Sequence, residues 1–125
     1  MFKKIYHTIT KKIVDSSLKK RSSSWPRVEK EFIEENPTCA ACGAKKSLNV
    51  HHKLPFHLFP EKELDKSNLI TLCMSRKSMC HFYIGHGGSW RAYNPNVEKN
   101  AQEVLKDPSC EKQIALEAKL LRLKE

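Results

Sequence analysis

The chain has 125 residues, of which 39% are hydrophobic, and it carries a formal net charge of +9. This length fits one domain, and no apolar run approaches the roughly 20 residues that a membrane-spanning helix needs. The composition therefore excludes a transmembrane protein and a large multi-domain enzyme. The first residues are basic and lack the apolar stretch of a secretory signal, so we expect a cytoplasmic protein whose five cysteines are not disulfide-bonded.

Most of the positive charge lies near the start of the chain. Residues 1–30 contain nine Lys and Arg side chains against two acidic ones, which is +7 of the total +9. A basic arm suits a polyanion, because each Lys or Arg that neutralises a phosphate releases a counterion. The alternative is a solvated N-terminal segment that binds nothing. The residues we expect to contact DNA are Lys11, Lys12, Lys19, Lys20, Arg21, Arg76, Lys77 and Arg91.

The apolar pattern divides the chain into three parts. Residues 1–24 form a basic arm, in which isoleucines near helical spacing allow a weakly amphipathic helix. Residues 25–95 form the core, with a helix expected over 25–35 and strands over 48–51 and 69–72.

Residues 96–125 are predicted to be a helical C-terminal segment. Its first helix spans about 97–106 and stops before Asp107-Pro108. Apolar residues from Ile114 to Leu123 follow a break in the chain, and they either pack on the chain's own core or support a homodimer.

Four cysteines form two local pairs that predict a structural Zn²⁺ site. The two-residue spacer between Cys39 and Cys42 lets both thiolates face one point, and Cys73 and Cys80 follow 31 residues later. The spacer of the second pair has six residues, longer than the usual two to four. A redox pair at the first two cysteines and unrelated buried thiols are the alternatives. Cys110 is expected to be an ordinary, partly buried thiol.

Five histidines lie among or near these cysteines; four of them are candidate site residues, and His57 is expected at the surface. His51 and His52 are adjacent at the end of a predicted strand, so their side chains point in opposite directions. One can bind a metal while the other accepts a proton from water, although a zinc-ligand role for one of them is an alternative. His81 follows Cys80, and His86 comes five positions later, off the same face of an α-helix, which makes it a weaker candidate ligand.

In this order, Cys39-x2-Cys42, Val50-His51-His52, Asn68-Leu-Ile-x-Leu-Cys73 and Cys80-His81 resemble the signature of the HNH endonuclease family with its zinc-ribbon support. The resemblance implies an α+β fold: a small ββα-metal (His-Me finger) core stabilised by the four-cysteine zinc site and flanked by N- and C-terminal helices.

The same resemblance implies roles for individual residues. His52 would be the general base, and Asn68 would brace the loop that orients it. His51 and His81 would bind one divalent cation (Mg²⁺, Mn²⁺, Ni²⁺ or Zn²⁺), with His86 as a further ligand or a phosphate contact.

The function implied is metal-dependent hydrolysis of phosphodiester bonds in double-stranded DNA, as in small family members of phages, mobile introns and bacterial defence systems. A non-catalytic zinc-ribbon module that binds nucleic acid is the main alternative. A zinc deaminase would need a Glu close to a ligand histidine, and neither His51 nor His81 has one. Trp90 and Tyr93 are expected to pack in the core, with contact to nucleic acid as the alternative.

Overall fold

A computed structural model describes residues 20–110, the backbone of Lys12–Ile13, and residues 113, 114, 116, 117 and 120. The fold is α+β. Its strands and α-helices, in chain order, are β1 (Lys12–Ile13), α1 (Trp25–Glu35), β2 (Leu48–His52), β3 (Leu69–Cys73), β4 (Ala92–Tyr93) and α2 (Val97–Lys106). The helices predicted over 25–35 and 97–106 are confirmed at these bounds, and both predicted strands are one residue longer than expected.

An antiparallel pair of strands forms the centre of the fold. β2 pairs with β3 in a register that places Leu48 opposite Cys73 and His52 opposite Leu69. All five residues of β3 are buried, because this strand has the core on one side and α1 on the other. The connection between the strands contains two short 3-10 turns, Pro60–Lys62 and Lys66–Asn68, and the second leads directly into β3.

Two apolar clusters hold the helices against this hairpin. Val28 and Phe32 of α1 pack on Val50 and Leu69, one from each strand. The larger cluster lies on the other side, where α2 covers the hairpin and a π-helical turn at His81–Gly85. Its residues are Cys39, Ala41, Ile70, Leu72, Cys73, Cys80, Ile84, Val97, Ala101, Val104, Cys110 and Ile114.

The N-terminal arm differs from the helix expected there. Of its described residues, Lys12–Ile13 form β1 and pair antiparallel with β4. The helical prediction is therefore wrong at these two positions, because a short isolated helix is only marginally stable and their main chain pairs with the edge of β4 instead. The remaining residues of the predicted helix up to residue 19 lie outside the described part of the chain.

The C-terminal segment packs partly on its own chain. Ile114 is fully buried in the larger cluster, whereas Leu116 and Leu120 are exposed. Ile114 thus packs on the chain's own core, and a homodimer supported by the C-terminal leucines stays a prediction. Among the residues described, no helix is long and apolar enough to cross a lipid bilayer.

Candidate active site

The four cysteines of the two pairs converge. Their sulfur atoms all lie within 4.8 Å of one another, and those of Cys42 and Cys73 are 3.5 Å apart. Sulfur atoms bound tetrahedrally to one Zn²⁺ are separated by about 3.8 Å, so the cluster has nearly the size of a zinc site. Cys39, Cys73 and Cys80 are buried, and Cys42 is exposed at the rim.

The long spacer of the second pair folds back over the sulfur atoms. The Ser78 hydroxyl lies 3.3 Å from the sulfur of Cys73 and donates to that of Cys42 at 3.6 Å. Met79 has a left-handed φ of 44°, which turns the chain toward Cys80. The Ser78 hydroxyl thus contacts the sulfur atoms of Cys42 and Cys73. The sulfur of Cys39 accepts a hydrogen bond from the amide of Cys42 at 3.5 Å.

The thiols also interact electrostatically. A hydrogen bond from Cys80 lowers the pKa of the Cys39 thiol to about 4, and the same bond raises the pKa of Cys80. A thiolate is the form that binds zinc. The donor set, spacing and charge of this cluster fit a structural Zn²⁺ ion.

Three histidines form a second cluster. His51, His81 and His86 each offer a ring nitrogen, and these atoms lie within 4.8 Å of one another. His51 is 3% exposed, and its Nε2 atom is buried without a hydrogen-bond partner among the described residues. A buried acceptor or donor without a partner costs about 1–3 kcal/mol, a cost that a bound cation at this nitrogen would remove.

A π-helical turn explains why His81 and His86 meet. In an α-helix, residues five positions apart point about 140° away from each other. Here the amide of His86 donates to the carbonyl of His81 at 3.1 Å, an i→i+5 bond that widens the turn. The two Nε2 atoms lie 3.2 Å apart as a result. A spacing of five residues makes His86 a weak candidate ligand in an α-helix. In this π-helical turn the same spacing brings its ring beside that of His81.

Hydrogen bonds fix the tautomers of these two rings. The Nδ1 of His86 donates to the carbonyl oxygen of Ala92 at 2.7 Å, since a carbonyl can only accept. The Nδ1 of His81 lies 3.0 Å from the Oδ1 of Asn49, whose Nδ2 donates to Leu48. Both Nε2 atoms are then unprotonated, with lone pairs facing each other. Such an arrangement is repulsive by itself and becomes favourable around a cation.

Burial keeps these imidazoles neutral. It lowers the pKa of His81 to about 3, with the neighbouring His86 ring adding to the shift. The pKa values of His51 and His86 are also lowered, mainly by burial. Neutral imidazole is the metal-binding form, so the chemistry of the donor set fits a divalent cation.

Gly85 leaves room for this cluster. A Cβ atom at this position would lie 3.2 Å from Cε1 and Nδ1 of His51 and 3.2 Å from Cδ2 of His81. Contacts this short would push the rings apart. The absence of a side chain at Gly85 is therefore part of the cluster's geometry.

His52 points to the opposite side of β2, as the strand alternation predicted. Its Nε2 lies 2.9 Å from the carbonyl oxygen of Glu63, and its ring stacks on Trp25 at 4.5 Å between centroids. Because the carbonyl can only accept, Nε2 carries the proton and Nδ1 is left as a proton acceptor. Burial lowers the pKa of His52, so the ring is neutral at physiological pH.

Asn68 joins the two ends of the connection between the strands. Its Oδ1 accepts from the amide of Leu54 at 2.9 Å, and its Nδ2 donates to the carbonyls of Leu54 at 3.1 Å and Lys62 at 3.3 Å. The loop held in this way includes Glu63. Asn68 thus holds the loop whose Glu63 carbonyl contacts His52.

Glu63 connects this loop to the segment before α1. Its carboxylate is buried and accepts from the amide of Ser22 through both oxygens at 3.2 Å. Arg21 lies 3.8 Å from the same carboxylate, and its guanidinium stacks on Trp25 and Phe56. Arg21 is half-exposed, so it combines a structural contact with an accessible charge.

An open cleft of about 710 Å³ connects these parts. It is lined by the three clustered histidines, His52, Arg21, Trp90 and Arg91. Of the other predicted DNA contacts, Lys20 is exposed and precedes Arg21 in the chain, and Arg76 and Lys77 are exposed on the spacer over the cysteines. Lys11, Lys19 and the side chain of Lys12 lie outside the described residues.

Three predictions about side-chain burial have different outcomes in the structure. Tyr93 is 5% exposed and packs in the core as expected, but Trp90 is 54% exposed, so its placement in the core is wrong. The turn after His86 directs Trp90 outward before β4 enters the core. His57, expected at the surface, is partly buried, and its buried Nδ1 atom has no hydrogen-bond partner among the described residues.

Sequence reasoning missed three residues of the site: Asn49, Glu63 and Gly85. Asn49 lies two positions before His51, so strand alternation places it on the same side of β2, which was a usable signal. Glu63 had none, because its partners Ser22 and His52 are distant in sequence.

The hairpin, the loop held by Asn68 and the π-helical turn, with one cysteine and one histidine cluster, define a ββα-metal domain. The family model described as HNH endonuclease matches residues 39–81. This segment is therefore similar to HNH endonuclease domains, in agreement with the resemblance of its sequence motifs, and His86 and Trp90 lie beyond the matched residues. Neither the curated proteins nor the solved structures contain a match to the chain.

Proposed function

We propose that the protein is a metal-dependent endonuclease that hydrolyses phosphodiester bonds in double-stranded DNA. The observation that carries the proposal is that the two adjacent histidines of β2 have different surroundings on opposite sides of the strand. His51 belongs to a cluster of neutral ring nitrogens, while the adjacent His52 lines the same cleft outside that cluster, with Nε2 bonded to Glu63 and Nδ1 as its proton-accepting nitrogen. A purely structural zinc ribbon needs the cysteines but gives no reason for either arrangement.

His52 is the general base of this mechanism. Its Nδ1 accepts a proton from the attacking water while its Nε2–H stays bonded to Glu63. The water oxygen bonds to phosphorus, the bond to the 3′-oxygen breaks, and that oxygen takes a proton from solvent. Asn68 and Glu63 are positioning residues, because they hold the carbonyl that orients the imidazole.

His51, His81 and His86 would hold the divalent cation. When bound, Mg²⁺, Mn²⁺, Ni²⁺ or Zn²⁺ supplies positive charge beside the phosphate and the departing oxygen. The ring nitrogens alone suit several of these ions. Cys39, Cys42, Cys73 and Cys80 would hold a separate structural Zn²⁺, which suits a reducing, cytoplasmic location.

Basic side chains bind the phosphate backbone of the DNA. Arg21 and Arg91 reach the cleft itself, and Arg76 and Lys77 extend the positive surface over the cysteine cluster. Lys11, Lys12, Lys19 and Lys20 belong to the arm that precedes the core. Contacts of this type bind phosphates without reading sequence, so binding should weaken steeply with salt.

The test is cleavage of supercoiled plasmid by the parent protein and by His52→Ala, with EDTA, Mg²⁺, Mn²⁺ or Ni²⁺, beside gel-shift binding of the same DNA. The parent should cut only with a divalent ion. His52→Ala should bind DNA equally well and cut about 10²–10⁴-fold more slowly.

His57→Ala is the matched control, because His57 lines the same cleft and has no role in the mechanism. It should cut at the parent rate. Binding by all three proteins without cleavage under any ion would overturn the nuclease proposal in favour of a zinc-ribbon binding module.

A further inference from the structure

Trp90 is the aromatic side chain in the cleft that the mechanism leaves unexplained. It is 54% exposed, although Ala92 and Tyr93, just beyond it, are buried. Exposing so much indole to water is unfavourable, since a tryptophan gains more from burial than almost any other residue. An exposed tryptophan at the rim of a cleft is therefore a candidate binding surface.

The backbone around Trp90 is firmly held. Gly87 and Gly88 adopt φ values of 61° and 83°, and the amide of Gly88 donates to the carbonyl of Phe82 at 3.0 Å. On the other side, the amide of Ala92 donates to Ser89 at 3.0 Å. The turn thus presents the indole in one orientation, which lowers the entropic cost of binding a ligand there.

The ring contacts of Trp90 leave room for a flat ligand. Its centroid lies 5.2 Å from that of His81, 4.9 Å from His86 and 5.0 Å from Phe82. The interplanar angles are 78°, 58° and 49°, so none of these rings stacks parallel to the indole. Among the described residues, no aromatic side chain occupies the parallel stacking position.

Charge and position identify the ligand class. Arg91 follows in sequence and is exposed in the same cleft, so a planar group bound here would have a cation beside it. A planar base attached to a phosphate has this combination, and indole–base stacking is the usual way proteins hold such bases. Two of the clustered histidines touch the indole, which places the base within about one nucleotide of the phosphate to be cut.

We infer that Trp90 stacks on an unpaired nucleobase next to the scissile phosphate, so that the protein prefers DNA with locally unpaired bases to a continuous duplex. Inside a duplex both faces of each base are covered by neighbouring bases. An indole can stack fully only on a base whose face is free. The inference rests on the proposed function and narrows its substrate class.

The test measures binding in the His52→Asn background, so that it does not depend on cleavage. Two duplexes of one sequence are compared, one continuous and one with a three-base bubble containing 2-aminopurine. The parent background should bind the bubble at least about 10-fold more tightly and quench its fluorescence. Trp90→Ala should remove both effects, and Trp90→Phe should restore most of the preference.

Arg91→Ala is the control for charge, because it should weaken binding of both duplexes by the same factor and leave their ratio unchanged. Unchanged melting temperature shows that Trp90→Ala still folds. An equal effect of Trp90→Ala on both duplexes, or none on either, overturns the stacking inference. Failure of the parent protein to cut, with a bubble preference that depends on Trp90, overturns the nuclease proposal and supports the stacking contact.

Discussion

The Nε2 atom of His52 donates a hydrogen bond of 2.9 Å to the backbone carbonyl of Glu63, while the Glu63 carboxylate accepts from the amide of Ser22. One residue thus links the candidate general base to the segment before α1, 41 positions away from Glu63. The hydrogen bond to Glu63 and the ring of Trp25, 4.5 Å away between centroids, together hold the His52 imidazole in place.

Replacing Glu63 tests whether the link matters for catalysis. Glu63→Ala removes the acceptor for Ser22 and loosens the loop, so kcat should fall about 10–100-fold, since small displacements of a catalytic group have effects of this size. KM should change little. Glu63→Gln keeps an amide oxygen that accepts from Ser22 and should retain most activity in steady-state cleavage assays. Equal rates for the alanine variant and the parent would show that Glu63 does not position His52.

Asn68 should be important for stability as well as for activity. Asn68→Ala leaves the amide and carbonyl of Leu54 and the carbonyl of Lys62 without this partner. Each such group left unsatisfied costs about 1–3 kcal/mol. Asn68→Asp keeps the acceptor but places a carboxylate oxygen against two carbonyl oxygens. Both variants should therefore unfold at lower urea concentration and cut more slowly.

Asn49→Ala is the matched control for this experiment, because Asn49 is exposed and its amide orients His81. It should change the free energy of unfolding by less than about 0.5 kcal/mol. Its effect should instead be a 10–100-fold weaker affinity of the histidine cluster for Ni²⁺, about the range for groups that hold a metal ligand in place. Equal destabilisation by both alanine variants would contradict the bracing role of Asn68.

The elements of this fold follow from local sequence, whereas the site does so only in part. Helix α1 ends near Asn36-Pro37 and α2 near Asp107-Pro108, and such stop signals act on neighbouring residues. The alternation along β2 likewise separated His51 from His52. Patterns of this kind need no knowledge of the tertiary structure.

The parts that could not be predicted depend on contacts between distant residues. The π-helical turn is stabilised by the bond from the His86 side chain to the carbonyl of Ala92, which forms only once β4 is in place. Trp90 was expected in the core because tryptophan is usually buried, yet the Gly87-Gly88 turn directs it outward. Composition gives no information on which face of a turn reaches solvent.

Gly85→Ala should weaken metal binding without unfolding the protein. The added methyl group would lie 3.2 Å from the rings of His51 and His81, so the nitrogens could not keep their spacing. Affinity for Ni²⁺ at the histidine cluster should fall about 10–100-fold in titration calorimetry, while zinc content at the cysteines stays unchanged.

Gly43→Ala is the control for this substitution. Gly43 has a φ of 77° and no atom within 4 Å of the added Cβ, so the change strains the backbone by about 1 kcal/mol without touching a histidine. Its Ni²⁺ affinity should equal that of the parent. Parent-like Ni²⁺ binding by Gly85→Ala would rule out a role for the glycine in shaping the cluster.

Loss of one clustered cysteine should destabilise the whole domain, whereas loss of Cys110 should not affect zinc. Cys39→Ser removes one of four sulfur ligands, and a structural zinc site contributes directly to folding, so zinc per chain should fall well below about one and the melting temperature should drop. Cys110 is equally buried, but it is not one of the four converging cysteines, and its sulfur donates to the carbonyl of Asp107. Cys110→Ser should therefore keep its zinc when measured by mass spectrometry. Equal zinc content in the two variants would mean that the four sulfur atoms do not form one metal site.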